Sequence, residues 1–317
     1  MNLKKYLFFL SFIFSTIHTN NYESILTLVA PGFWTIPSDI RIEKYKAAFS
    51  DPENVQSIVF PDTEIPKKRI YRIISSFFEH DSKKNLNLES DLGQEKDITA
   101  IHYHVKSETE YKMPFMFFAS CKGASAIINY IAKHNPQNLK AVILEAPFSN
   151  ILDFVRKISA PLGIPKTWDS VILKELFPNY PENALPPIQA IPYIENKNLP
   201  ILLIHSQEDQ ITSIAESLAL YKTFKKNGFN HIYLAILKGK HAHIITEDRN
   251  NFFKVIHTFY KAFNFKYNNL YAIDSLEEYC VELKIADKKI SEYKIELEKE
   301  CIKTQKKLFK FIKSLAK

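Results

Sequence analysis

The chain has 317 residues, 46% of them hydrophobic, enough for one sizeable buried core with appendages. Its formal charge is +7, but setting aside the two lysines of residues 1–20 and the six of residues 301–317 leaves −1 for residues 21–300. A near-neutral body excludes a broad basic face for nucleic acid, and an odd count of three cysteines excludes a complete intrachain disulfide framework.

In chain order, the leader "MNLKKYLFFLSFIFSTIHTN" comes first. Two lysines precede an apolar run from Tyr6 to Ile17, the length of a signal-peptide core and short for a membrane span. It lacks an A-x-A-like cleavage site. The pattern predicts export, to a periplasm or outside the cell, with residues 1–20 either removed or kept as an anchor.

Six short apolar runs follow: "ILTLVAP" (25–31), "SIVFPDT" (57–63), "FMFFASC" (115–121), "AVILEAP" (141–147), "ILLIHS" (201–206) and "IYLAILK" (232–238). Most are apolar on both faces, as strands of a covered parallel sheet are. Helical patterns such as "GASAIINYIAKH" and "IAESLALYKTFKKNG" separate them. The alternation predicts an α/β fold, a doubly wound and mostly parallel sheet of about six strands, over residues 21–270. Residues 67–95 are charged and aperiodic and read as a surface insertion. Residues 149–199 break the rhythm and, with Pro200, hold eight of the 16 prolines. Short helices joined by rigid turns are expected there, as a lid over the carboxyl edge of the sheet or as a packed structural excursion.

From about Ser275 the chain loses glycine and proline and gains charge. Leu276, Leu283, Ile290, Leu297 and Phe311 recur in a heptad that Thr304 interrupts. An amphipathic helical tail is expected over 271–317. Its basic end suits either an anionic membrane surface or a helix docked on its own domain or a second copy. On that helix Cys280 and Cys301 would stand roughly 30 Å apart, too far to pair.

Three loops concentrate the chemistry. The turn Ala119-Ser120-Cys121-Lys122-Gly123 joins a strand to a helix. Small residues two before and two after the central one suit a strained turn that lifts Cys121 above the sheet. Ser120 and Ser125 fail that spacing. After the fifth strand, "IHSQEDQITS" offers Asp209, with Glu208 as runner-up, to orient a histidine. After the sixth, "ILKGKHAHII" offers His241, with His243 near it, and Gly239 for a sharp turn. One oxyanion donor is expected from the Lys122 backbone N–H, and another from the loop after the first strand, where Gly32 allows close approach near Phe33 or Trp34. Phe33 and Trp34 either wall a substrate pocket or pack in the core. The ten histidines are scattered, so no metal cluster is read, and no cofactor is expected.

At these residues the chain resembles the α/β-hydrolase superfamily, over about 25–265. "LKAVILEAPFSN" is similar to the family strand after the elbow helix. The segment from "LPILLIHSQEDQ" to "KGKHAHI" resembles the acid-and-histidine region of prolyl oligopeptidase-like hydrolases. The resemblance implies Cys121 as nucleophile, Asp209 as acid and His241 as base, and dienelactone hydrolase is a relative with cysteine at the elbow. Ala119 and Ser206 stand where the family usually has glycine, and Pro31-Gly32 replaces its His-Gly. The implied activity is hydrolysis of a small-molecule carboxylic ester or thioester through a cysteinyl acyl-enzyme. The alternatives are a peptidase of the prolyl oligopeptidase type, acting on peptides, and an inactive pseudoenzyme that binds ligands.

Overall fold

The computed structural model describes residues 22, 25–30, 45, 48–58, 98, 101–102, 105–106, 113–176, 185–209, 211–241, 243–280, 292, 295–296, 299, 302–303 and 306–307. Six strands, β1 (Leu26–Ala30), β2 (Val55–Ser57), β3 (Phe115–Ser120), β4 (Leu139–Glu145), β5 (Ile201–Ser206) and β6 (Ile232–Leu237), form one sheet in the order β2-β1-β3-β4-β5-β6. Every pairing is parallel, as the double-faced apolar runs require. Successive side chains serve opposite faces. Phe117 packs with Ile127, Tyr130 and Phe224, whereas Phe118 packs with Phe49, Phe252 and Phe259.

The helices are α1 (Cys121–His134), α2 (Ile151–Ser159), α3 (Asp169–Leu176), α4 (Pro187–Ala190), α5 (Ile214–Lys226), α6 (Ile244–Glu247) and α7 (Arg249–Ala262). Helices α1 and α5 supply the first of those core clusters and α7 the second. The expected doubly wound α/β sheet is thus present.

The strand order reverses direction at β1, whose neighbours are β2 and β3. Such a switch opens a crevice between the carboxyl ends of β1 and β3. Ala30 lies opposite Ala119, two residues before Cys121. The loop that β1 feeds, with Gly32, Phe33 and Trp34, lies outside the described residues, as do residues 1–20 and 67–95.

Three boundaries differ from the sequence reading. The second strand starts at Val55 rather than at 57, and 59–63 lie outside the described residues. As an edge strand with half-exposed residues, β2 tolerates the polar Gln56. The 149–199 interval divides in two. Residues 187–199 join the main core through Ala190, Ile191, Ile194 and Leu199, so they belong to the body. Only α2 and α3, with the turns between them, enclose a small core of their own, in which Phe148, Phe154, Val155 and Ile172 meet Ile211 of the acid loop. Pro161, Pro187 and Pro192 sit at helix starts, where a missing N–H costs nothing.

The tail helix does not begin at Ser275. Leu276 is buried in the second core cluster, Glu277–Tyr279 form a 3-10 turn, and Cys280 makes an antiparallel bridge to Ala235. Strand β6 is a sheet edge, and covering an edge outweighs continuing a heptad. Cys280 is therefore a sheet-edge residue rather than a helical one. Helical residues reappear between 292 and 307, all of them exposed. Among the described residues no helix is long and apolar enough to cross a membrane.

Candidate active site

Strand β3 ends at Ser120 in extended conformation, and Cys121 turns the chain at φ 50° into α1. A positive φ is uncommon for a residue with a Cβ and marks a strained turn. Ser125 secures the elbow. Its hydroxyl donates to the Phe148 carbonyl at 2.9 Å and accepts from the Phe148 N–H at 3.1 Å. Cys121 is buried at the first position of α1, which has no acidic residue in its first turn. Its side chain thus stands at the positive end of the helix. Lys122 is the second helical residue, where backbone N–H groups leave the helix end rather than serve its own carbonyls.

The acid loop is built by Asp209 itself. Its Oδ1 accepts from the N–H groups of Ile211 (2.8 Å) and Thr212 (2.9 Å), and its Oδ2 accepts from the Thr212 hydroxyl at 2.9 Å. The base loop turns at Gly239, with φ 114°. A Cβ there would come within about 3.2–3.3 Å of Glu247 and Ile244. This delivers His241, whose Nδ1 donates to Asp209 Oδ2 at 2.7 Å. Cys121 lies close enough to the ring to raise its pKa. The structure therefore brings Asp209 and His241 into direct contact, with Cys121 near the same ring. The Glu208 side chain is exposed and so is His243, which caps α6, so neither joins it.

Burial alone would lower the His241 pKa. Cys121 and Asp209 beside it outweigh that and raise it to about 11. Burial alone would raise Asp209. Its bond to His241 outweighs that and holds the carboxyl below its ordinary range. In its imidazolium form His241 can donate a proton to a leaving group.

Three further residues support the trio and were not singled out from the sequence. Thr212 holds Asp209 through both its N–H and its hydroxyl, and the Asp-x-x-Thr spacing is the signature of such a turn. Ser206 accepts from the Glu208 N–H at 3.0 Å and donates to the Gly239 carbonyl, so it links the acid loop to the base loop. His205 is wholly buried. Its Nδ1 meets the Ser217 hydroxyl at 2.7 Å, and its Nε2 lies 3.4 Å from the Thr212 carbonyl and 3.6 Å from Asp209 Oδ2. Burial lowers its pKa to about 4, so the ring is neutral. A lone histidine in the apolar run "ILLIHS" was the available signal. Among the described residues no group of three metal-ligating side chains occurs.

Residues 121–268, just under half of the chain, match the profile of the prolyl oligopeptidase family. The match begins at the elbow cysteine and spans all three loops. Solved structures similar to the chain include an esterase from Pyrococcus furiosus (15% identity, 77% of this chain and 82% of that chain, TM-score 0.49). An acylaminoacyl peptidase from Pyrococcus horikoshii (22%, 58% and 29%, TM-score 0.40) and a meta-cleavage product hydrolase from Pseudomonas fluorescens (10%, 76% and 92%, TM-score 0.45) are also similar. No curated protein matches the sequence.

Proposed function

We propose that this chain is an α/β-hydrolase that cleaves carboxylic esters or thioesters through an acyl-enzyme on Cys121. The observation that carries the reading is the His241 ring, bonded to Asp209 at 2.7 Å and within electrostatic reach of Cys121 at the strained elbow. The thiolate attacks the carbonyl carbon, and the Lys122 N–H and the Gly32 loop near Phe33 and Trp34 receive the oxyanion. The imidazolium gives its proton to the departing alkoxide or thiolate, leaving the acyl group on sulfur. Neutral His241 then takes a proton from water, hydroxide attacks the thioester, and the thiolate leaves with the imidazolium restored.

The sulfur sets the substrate class. In the tetrahedral intermediate a thiolate, whose conjugate acid has a pKa of about 8.5, competes with the substrate's own leaving group. Thiols and acidic alcohols win that competition readily, and amines do not. This favours thioesters and activated esters. The profile match supports a short peptide as the second substrate class. The α2–α3 cap, whose apolar cluster includes Ile211 beside Asp209, is proposed to bound the acyl pocket. The leader is proposed to direct the chain to export.

Steady-state hydrolysis of an acyl thioester and of a matched aminoacyl anilide, by wild type and Cys121→Ser, tests the reading. Thioester turnover above anilide turnover, depressed in the serine variant, is expected. Equal rates in wild type and Cys121→Ser would refute a cysteine nucleophile.

A further inference from the structure

The tail offers a surface that the hydrolase chemistry does not use. Ile295, Lys299, Ile302 and Lys306 are helical and separated by four, three and four residues, which places them on one face of the helix. That face is open, with Ile295 55% and Ile302 50% exposed. Lys299, Ile302, Lys303, Lys306 and Lys307 line a shallow concavity of about 420 Å³. Beyond it the sequence stays basic and apolar together. Residues 301–317 hold six lysines, no acid, and Leu308, Phe309, Phe311, Ile312 and Leu315.

We propose that this helix docks on an anionic lipid surface, with Ile295 and Ile302 entering the headgroup boundary and the lysines meeting lipid phosphates. Charge complementarity selects the occupant. The body of the chain carries −1, so the excess charge is concentrated at the ends. A parallel second copy laid on this face would set Lys299, Lys303 and Lys306 against their own equivalents, whereas phosphates neutralise them. Leu276, the first residue of the apparent heptad, is consumed in the domain core, which shortens any coiled-coil seam.

The test is sedimentation of the full chain with vesicles of phosphatidylcholine alone and with phosphatidylglycerol added. Wild type is compared with Lys299→Gln/Lys303→Gln/Lys306→Gln/Lys307→Gln and with Ile295→Asn/Ile302→Asn. Circular dichroism confirms that each variant is folded. Binding should require the anionic lipid and weaken with salt. Each lysine contributes about fivefold near such a surface, so the quadruple variant should lose about a hundredfold or more. The isoleucine variant should lose about tenfold. Equal binding to both vesicle types, or anionic-vesicle binding unchanged in the quadruple variant, would overturn the proposal. So would self-association that depends on Ile295 and Ile302 while vesicle binding does not.

Discussion

Two pairs of ionisable groups, one in the loops at the carboxyl edge of the sheet and one in the body behind them, have opposite fates. At the edge, His241 is raised and Asp209 lowered, so both are charged. Behind them, His205 is lowered to about 4 and Glu216 raised to about 7, so both tend to neutrality. All four are largely buried, so burial alone does not decide the outcome. His241 donates to Asp209 over 2.7 Å. His205 points at the same Asp209 oxygen from 3.6 Å, and burial wins. Glu216 accepts from the N–H (2.8 Å) and hydroxyl (2.6 Å) of Ser149, and burial together with Asp153 outweighs them. A short bond to an oppositely charged partner separates a reactive pair from a structural one.

The sharpest way to break this comparison is to remove a member of the charged trio. Cys121→Ala should lower kcat/KM by about 10⁴-fold or more, measured with an activated ester. Asp209→Asn should cost about 10³-fold in kcat. It should also move the alkaline limb of the pH–rate profile to lower pH, because the Asp209 charge that raises His241 is gone. An unmoved limb would mean that Asp209 does not hold the proton on the ring.

The neutral pair is tested through stability. The folded-state pKa of Glu216 lies above its unfolded value. Its contribution is therefore full below the unfolded pKa, near 4.5, and is lost as pH rises through about 7. Wild type should lose about 3 kcal/mol between roughly pH 5 and pH 8 from this group, and Glu216→Gln should flatten that loss in urea titrations. Identical pH profiles would show that Glu216 is charged and well solvated. The smallest effect is expected at Ser206, which links the two loops without touching the reacting atoms. Ser206→Ala should lower kcat about tenfold with little change in KM, as a small displacement of His241 from its partners would.

Some of this was legible in the sequence. The six strands show because a covered parallel sheet demands apolar runs, and Cys121 shows because the elbow demands small residues at fixed spacing. Asp209 rather than Glu208, and His241 rather than His243, are the two that meet, because an Asp can fold its loop around its own carboxylate and Gly239 delivers the residue two positions on. The partners that fix the trio were not legible. Ser206 reaches Gly239 across 33 positions, and such a contact exists only once β5 and β6 are in register. The course of 275–280 was misread for a related reason. The heptad at Leu276 is a local pattern, but the exposed edge of β6 is a property of the finished sheet.

The most direct measurement is intact mass of the protein after mixing with p-nitrophenyl acetate, for wild type, Cys121→Ala and His241→Ala. The account predicts an acetyl adduct on wild type that forms and decays with turnover, and none on either variant. A permanent adduct, no adduct, or one that survives in Cys121→Ala would contradict a working Cys121 nucleophile.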